Sequence, residues 1–174
     1  MGLRLSITLL FGLLPLAAGL PTAQEALALA FPGAKIQRRE HFLSEGQAQK
    51  AKALSGADVP GLWWVVYEAR AEGRLLGVAF FDTHRVRTLN ETAMVAVNAD
   101  GTLKRVEVVA FREPQEYLPK ELWVRQLDGK RLNDELSLKR SIRPLSGATL
   151  TANVLVDAAR RSLALFQVLY GNTQ

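Results

Sequence analysis

Two consecutive hairpin patterns in the middle of the chain constrain its fold more than any other feature. Residues 62–70 and 74–82 are rich in Val, Phe, Trp and Tyr, which suit a pleated, half-buried surface, and Glu72-Gly73 joins them. Residues 92–98 and 102–111 repeat the arrangement across Asp100-Gly101, a pair that accepts the positive-φ turn matching the twist of two strands. An antiparallel sheet of about four strands follows. The helical patterns lie before and after these hairpins and do not alternate with single strands, which predicts an α+β fold with flanking helices and no parallel βαβ repeat. Adjacent Trp63 and Trp64 must point to opposite faces of such a sheet, one into the core and one away from it.

A short helical pattern over 24–30 is stopped by Phe31-Pro32-Gly33. Ser44 can cap a second helix running to Leu54, with Lys50 and Lys52 toward water. Leu54-Ser55-Gly56-Ala57-Asp58 then reads as a loop. After the hairpins, residues 119–127 can form a helix carrying Trp123 and ended by Asp128-Gly129. Residues 132–138 suit a turn and short helix, and 138–142 an edge strand halted by Pro144. From about Leu150 to Tyr170, Leu155, Ala158, Ala159, Phe166 and Leu169 recur at three- and four-residue steps, with Asn153, Asp157, Arg160, Arg161 and Gln167 opposite. That is a long amphipathic C-terminal helix packed on a core.

At 174 residues the chain suits one domain with its own core, and 48% hydrophobic and 22% charged content are globular values. Residues 1–23 read as an export signal, with Arg4 as the basic region, 5–16 as the apolar core and Ala17-Ala18-Gly19 as the cleavage site. The apolar run falls short of the roughly 20 residues that span a bilayer, which favours a cleaved signal. Residues 24–174 then form the single domain, outside the cytoplasm in the periplasm or at the outer face of the membrane. Without a cysteine there is no disulfide, thiolate metal site, iron–sulfur cluster or covalent c-type haem, and two distant histidines, His41 and His84, make a poor metal site. The net charge of +5 is spread along the chain, an arrangement unsuited to nucleic acid. His84, Arg85 and Arg87 fall on a linker between the hairpins, either a solvated loop or a place to steer an anionic partner or hold a ligand. No catalytic triad, Gly-rich phosphate loop or dinucleotide fingerprint can be assembled.

The segment with the most chemical content is Leu145-Ser146-Gly147-Ala148-Thr149-Leu150-Thr151, at the mouth of the long helix. It holds three hydroxyls within six residues, with Gly147 and Ala148 leaving room for close approach to the backbone. The first-turn N–H groups of such a helix attract an anion, so a phosphate can sit there. Equally, Thr149 or Thr151 can serve as an ordinary hydroxyl N-cap.

Ser146-Gly147-Ala148-Thr149-Leu150-Thr151 resembles the flavinylation motif of the FMN-binding domain family, which includes the FMN-carrying subunits of the sodium-pumping quinone reductase and Rnf complexes. The stretch from Phe111 to Pro119, with Trp123, Gln126 and Gly129-Lys130, resembles the family's upstream segment. The resemblance implies FMN held covalently by a phosphoester to Thr149, placed there by a flavin transferase. It also implies an electron carrier with membrane-linked redox partners more than an enzyme with its own substrate. Ser146, Gly147, Ala148, Leu150 and Thr151 would surround the phosphate, with Leu145 and Leu150 flanking the attachment point. Tyr117 and Leu118 would touch the ring and Glu113 would order their loop, while Trp123 either stacks on the ring or belongs to the core. Where family members commonly carry an aspartate, three positions before the first hydroxyl, this chain has Arg143, followed by Pro144. Arg143 is then either a surface arginine or a cation beside the phosphate or the reduced flavin. Two other readings share the fold: an FMN-dependent reductase of an extracytoplasmic acceptor, and an interaction module without flavin.

Overall fold

The computed structural model describes residues 19–171; most of the expected export signal, residues 1–18, lies outside the described residues. A five-stranded antiparallel sheet in the order β1-β2-β3-β4-β5 organises the chain, each strand pairing with its neighbour in sequence. The strands are β1 (Lys35–Phe42), β2 (Trp63–Ala71), β3 (Arg74–Arg85), β4 (Asn90–Asn98) and β5 (Leu103–Phe111). The last four are the two expected hairpins. The fifth strand, β1, pairs along β2 from Lys35↔Arg70 to Phe42↔Trp63. Its sequence, Lys-Ile-Gln-Arg-Arg-Glu-His-Phe, lacks a buried face because it lies at the sheet margin, where charge discourages pairing with another chain.

Strand alternation sorts the side chains into two layers. Val66, Val78, Phe80, Val95, Val97, Val106 and Val108 meet Leu155, Ala159, Leu163 and Phe166 of the last helix, α4 (Thr149–Tyr170). On the opposite face Ala69, Ala79, Met94 and Ala96 carry the first helix, α1 (Ala23–Ala30), whose Thr22 and Glu25 form a reciprocal capping box. Small side chains let α1 sit close, and Gly77 is the extreme case: a Cβ there would lie 2.2 Å from the Val97 carbonyl oxygen and 2.8 Å from the Phe31 ring. Trp64 is buried and Trp63 exposed, as alternation requires. Helix α2 (Glu45–Ser55) is capped by Ser44 and Gln47, ends at left-handed Gly56 and packs on α4. Arg160 of α4 ties that corner together by donating to the carbonyls of Ser55, Asn133 and Leu136.

Helix α3 (Glu121–Val124) continues as one 3-10 turn to Leu127, and Leu103 exchanges backbone hydrogen bonds with Gly129 and Lys130. The edge strand expected over 138–142 does not form. Leu138 and Ile142 make one isolated bridge, while the amides of Lys139, Ser141 and Ile142 bond to carbonyls of this same loop, which turns on Lys139 at φ 67°. These short-range partners occupy the amides that a sheet edge would need as donors.

Candidate functional site

Helix α4 opens with exposed donors. Gly147, at φ 80°, turns the chain in a conformation that costs glycine little, and Ala148 follows as the N-cap. Alanine has no side-chain oxygen to cap with, and with Ala148 in that position neither Thr149 nor Thr151 supplies the hydroxyl cap that was the alternative expectation. The N–H groups of Thr149, Leu150 and Thr151 find no acceptor among the described residues, whereas that of Ala152 bonds to Ala148 at 3.0 Å. Such a helix end favours negative charge by about 0.3–1 kcal/mol at the surface.

The three hydroxyls differ in access. Ser146 and Thr149 are exposed, and Thr149 makes only a long 3.4 Å bond to the Leu145 carbonyl, well short of a strong hydroxyl bond. Thr151 is 1% exposed, and its hydroxyl has no partner, turned into the core within the first turn of the helix. Only Ser146 and Thr149 can therefore meet a reagent arriving from solvent without rearrangement.

Beside this mouth lies a cavity of about 820 Å³, inside the range of pockets that hold cofactor-sized ligands. Leu118, Leu122 and Trp123 line one side and Pro144, Leu145, Ser146 and Ala148 the other, with the charged Glu116, Lys120 and Arg143 at its borders. Trp123 is in the core and on the lining at once. Its indole Nε1 donates to the Arg143 carbonyl at 2.8 Å while the Arg143 N–H donates to Gln126 Oε1 at 2.9 Å, so α3 holds the approach to the motif from both backbone directions. A hollow of about 330 Å³ on the other sheet face, between Trp63, Val65, Tyr67 and Phe81, has no helix end at its lining, and its exposed hydroxyl, that of Thr83, is bonded to the Thr92 hydroxyl.

Glu113 and Tyr117 stand just outside the cavity lining. One carboxylate oxygen of Glu113 accepts the N–H groups of Leu89, Thr88 and Arg87 at 2.8, 2.7 and 3.1 Å. Those backbone donors, Leu89 first, hold its pKa below the usual carboxylate value. Glu113 thus orders the β3–β4 turn as well as the loop it belongs to, and Tyr117 is fixed to the same turn by the Arg87 guanidinium 4.7 Å above its ring. Of the expected site residues, the fold gathers Leu118, Leu145, Ser146 and Ala148 on the cavity and Gly147, Thr149 and Leu150 at its mouth, while Glu113, Tyr117 and Thr151 lie behind.

A second polar cluster lies beneath α4. β3 runs on to Arg85, so His84 is not on a solvated linker: its side chain is only 10% exposed, with Nδ1 3.0 Å from Asp82 and Nε2 3.9 Å from Glu91. Arg161 is also not on the solvent face of α4. It is 7% exposed and grips both oxygens of Asp82, at 2.7 and 3.2 Å. Helical periodicity gave these residues away as polar without revealing partners nearly eighty positions distant.

The cavity fits a flat ring with an anionic tail: apolar walls, a few polar borders, and a helix end with free donors beside an exposed hydroxyl. Residues 90–164 match the family model described as FMN-binding domain, a span from the start of β4 into α4 that includes the whole cavity lining. Among solved structures its fold is similar to the crystal structure of Shewanella oneidensis NqrC, at 16% sequence identity and TM-score 0.53, over 79% of this chain and 83% of that one. A comparison with curated protein sequences gives no match.

Proposed function

We propose that this protein is an exported redox carrier whose FMN is joined through its phosphate to Thr149 and occupies the cavity between α3 and the start of α4. The observation that carries the reading is the placement of an exposed Thr149 hydroxyl, nearly free of internal bonding, beside unpaired N–H groups at the mouth of that cavity. The FMN-binding domain match supports the cofactor, and the likeness to NqrC supports the fold. Attachment would form a bond between Thr149 Oγ1 and the FMN phosphorus with net loss of one water, the work of a flavin transferase.

When bound, FMN supplies reversible one- and two-electron transfer. The chain supplies the rest. The N–H groups of Thr149, Leu150 and Thr151 and the Ser146 hydroxyl would take the phosphate oxygens. Leu118, Leu145 and Trp123 would exclude water from the ring. Glu113 keeps the neighbouring loop and turn in register. Outside the cytoplasm a lost cofactor is hard to replace, which favours a covalent tether. Electrons would pass to and from membrane-linked partner proteins, since the cavity holds no constellation of acid, base and nucleophile that would define a substrate of its own.

The test is intact mass of the exported chain after co-expression with a flavin transferase, followed by in-gel flavin fluorescence under denaturing conditions. The expected result is an added mass of one FMN less one water and a fluorescent band, both lost in Thr149→Val. Covalent flavin retained in that variant would move the attachment to Ser146. An unmodified wild-type chain would overturn the covalent reading and favour the interaction module.

A further inference from the structure

Two cations line the cavity without a partner among the described residues, Lys120 and Arg143, and Arg143 is the one whose backbone is held in place. The backbone of Arg143 is pinned on both sides, by Gln126 and by Trp123, so its side chain starts from a fixed point on the lining. Among the described residues its guanidinium nonetheless makes no hydrogen bond, ion pair or ring contact. Nearby arginines are engaged: Arg105 and Arg125 share Glu107, and Arg87 covers Tyr117. Lys120, on the same lining, also has no ion pair there, and Glu116 is the only carboxylate bordering the cavity. A guanidinium offers a planar fork of donors that fits paired oxygens, or an anionic ring edge, better than a point charge does.

Resting on the reading of this cavity as a flavin site, we propose that Arg143 is its anion-binding residue, favouring the flavin in its more negative forms. Two groups of the cofactor share that chemistry. One is the phosphate. The other is the ring after uptake of two electrons and one proton from a redox partner, which leaves it with one negative charge. In both cases Arg143 acts by direct contact, and its pinned backbone keeps the fork at the cavity border.

The full chain, produced without a flavin transferase, is titrated with FMN and with riboflavin, which lacks the phosphate. Wild type, Arg143→Ala and Arg143→Lys are compared by flavin fluorescence, and the midpoint potential of the bound flavin is measured in each. Arg143→Ala is expected to weaken binding of at least one charged form about tenfold, the scale of a charge-assisted hydrogen bond, with partial recovery in Arg143→Lys. Loss for FMN but not for oxidised riboflavin identifies the phosphate. A midpoint potential lowered by about 30 mV for each tenfold loss of affinity for the reduced ring identifies the ring. Equal affinities and equal potentials in wild type and Arg143→Ala overturn the inference and leave the flavin site standing. Failure of the wild-type chain to bind either flavin overturns both.

Discussion

Replacing His84 with asparagine tests how the charged groups beneath α4 fasten helix to sheet. His84 sits between Asp82 and Glu91, with Arg161 on Asp82 and Asp157 approaching from the helix. Burial works against its charge, but the hydrogen bonds and charges of Asp82 and Glu91 outweigh it and raise the pKa from 6.5 to about 9. Because the folded value lies above the unfolded one, the stabilisation is fully present below about pH 6.5 and fades as pH rises to about 9. At about 1.36 kcal/mol per pH unit, that interval corresponds to about 3 kcal/mol. His84→Asn keeps an amide donor near the Nδ1 position and carries no titrating proton. Urea unfolding should find the variant less stable by about 3 kcal/mol near pH 6, and within about 1 kcal/mol of wild type near pH 9.5. A stability difference of the same size at both ends of the range would refute the argument, because a lost packing contact has no such pH dependence.

Three further outcomes follow from the geometry. Gly77→Ala places a methyl group 2.2 Å from the Val97 carbonyl oxygen, and overpacking with a strained ladder bond should cost about 2–4 kcal/mol, lowering the thermal midpoint by about 5–15 °C; an unchanged midpoint would mean that β3 and α1 can separate freely. Trp123→Phe retains the ring bulk and removes the donor to the Arg143 carbonyl, so it should cost about 1–2 kcal/mol and speed hydrogen exchange at the Arg143 amide, which stays protected if Gln126 alone holds that segment. Glu113→Ala should speed exchange of the Arg87, Thr88 and Leu89 amides while the β2–β3 amides keep their protection. In wild type the same three amides should loosen as pH falls through the lowered Glu113 pKa, since the stabilisation from a depressed carboxylate is full above its unfolded pKa and is lost only as pH falls through the folded one.

What could be read in the sequence was whatever local pattern decides. Asp100-Gly101 and Glu72-Gly73 announce their hairpins because turn geometry admits few residues, and Ser44 announces α2 because its hydroxyl must meet Gln47. The helical period of α4 identified its core stripe but misplaced Arg161, since the reason an arginine can be buried there is Asp82 on another element. β1 escaped notice for a related reason: its pairing with β2 depends on the partner strand and not on a buried stripe of its own. At the helix mouth, motif spacing pointed to Ser146 and Thr149, whose hydroxyls prove exposed, while Trp123 and Gln126 meet residue 143 only when α3 and its 3-10 turn are brought against it, twenty and seventeen positions later. Tyr117 was expected on the ring; its packing under Arg87 comes from a turn the local sequence does not mention.

The order of elements has a consequence for biogenesis. A sheet of sequence neighbours can zip up one hairpin at a time, from β1 to β5, with little loop closure at each step. The cavity cannot exist at that stage, because one of its walls leads into α4, the final element, whose docking also completes the core. Any group seated at the mouth of α4 therefore marks a chain that has finished folding. Under the proposed attachment at Thr149, loading would act as an inspection: half-folded molecules would present the threonine but not the pocket.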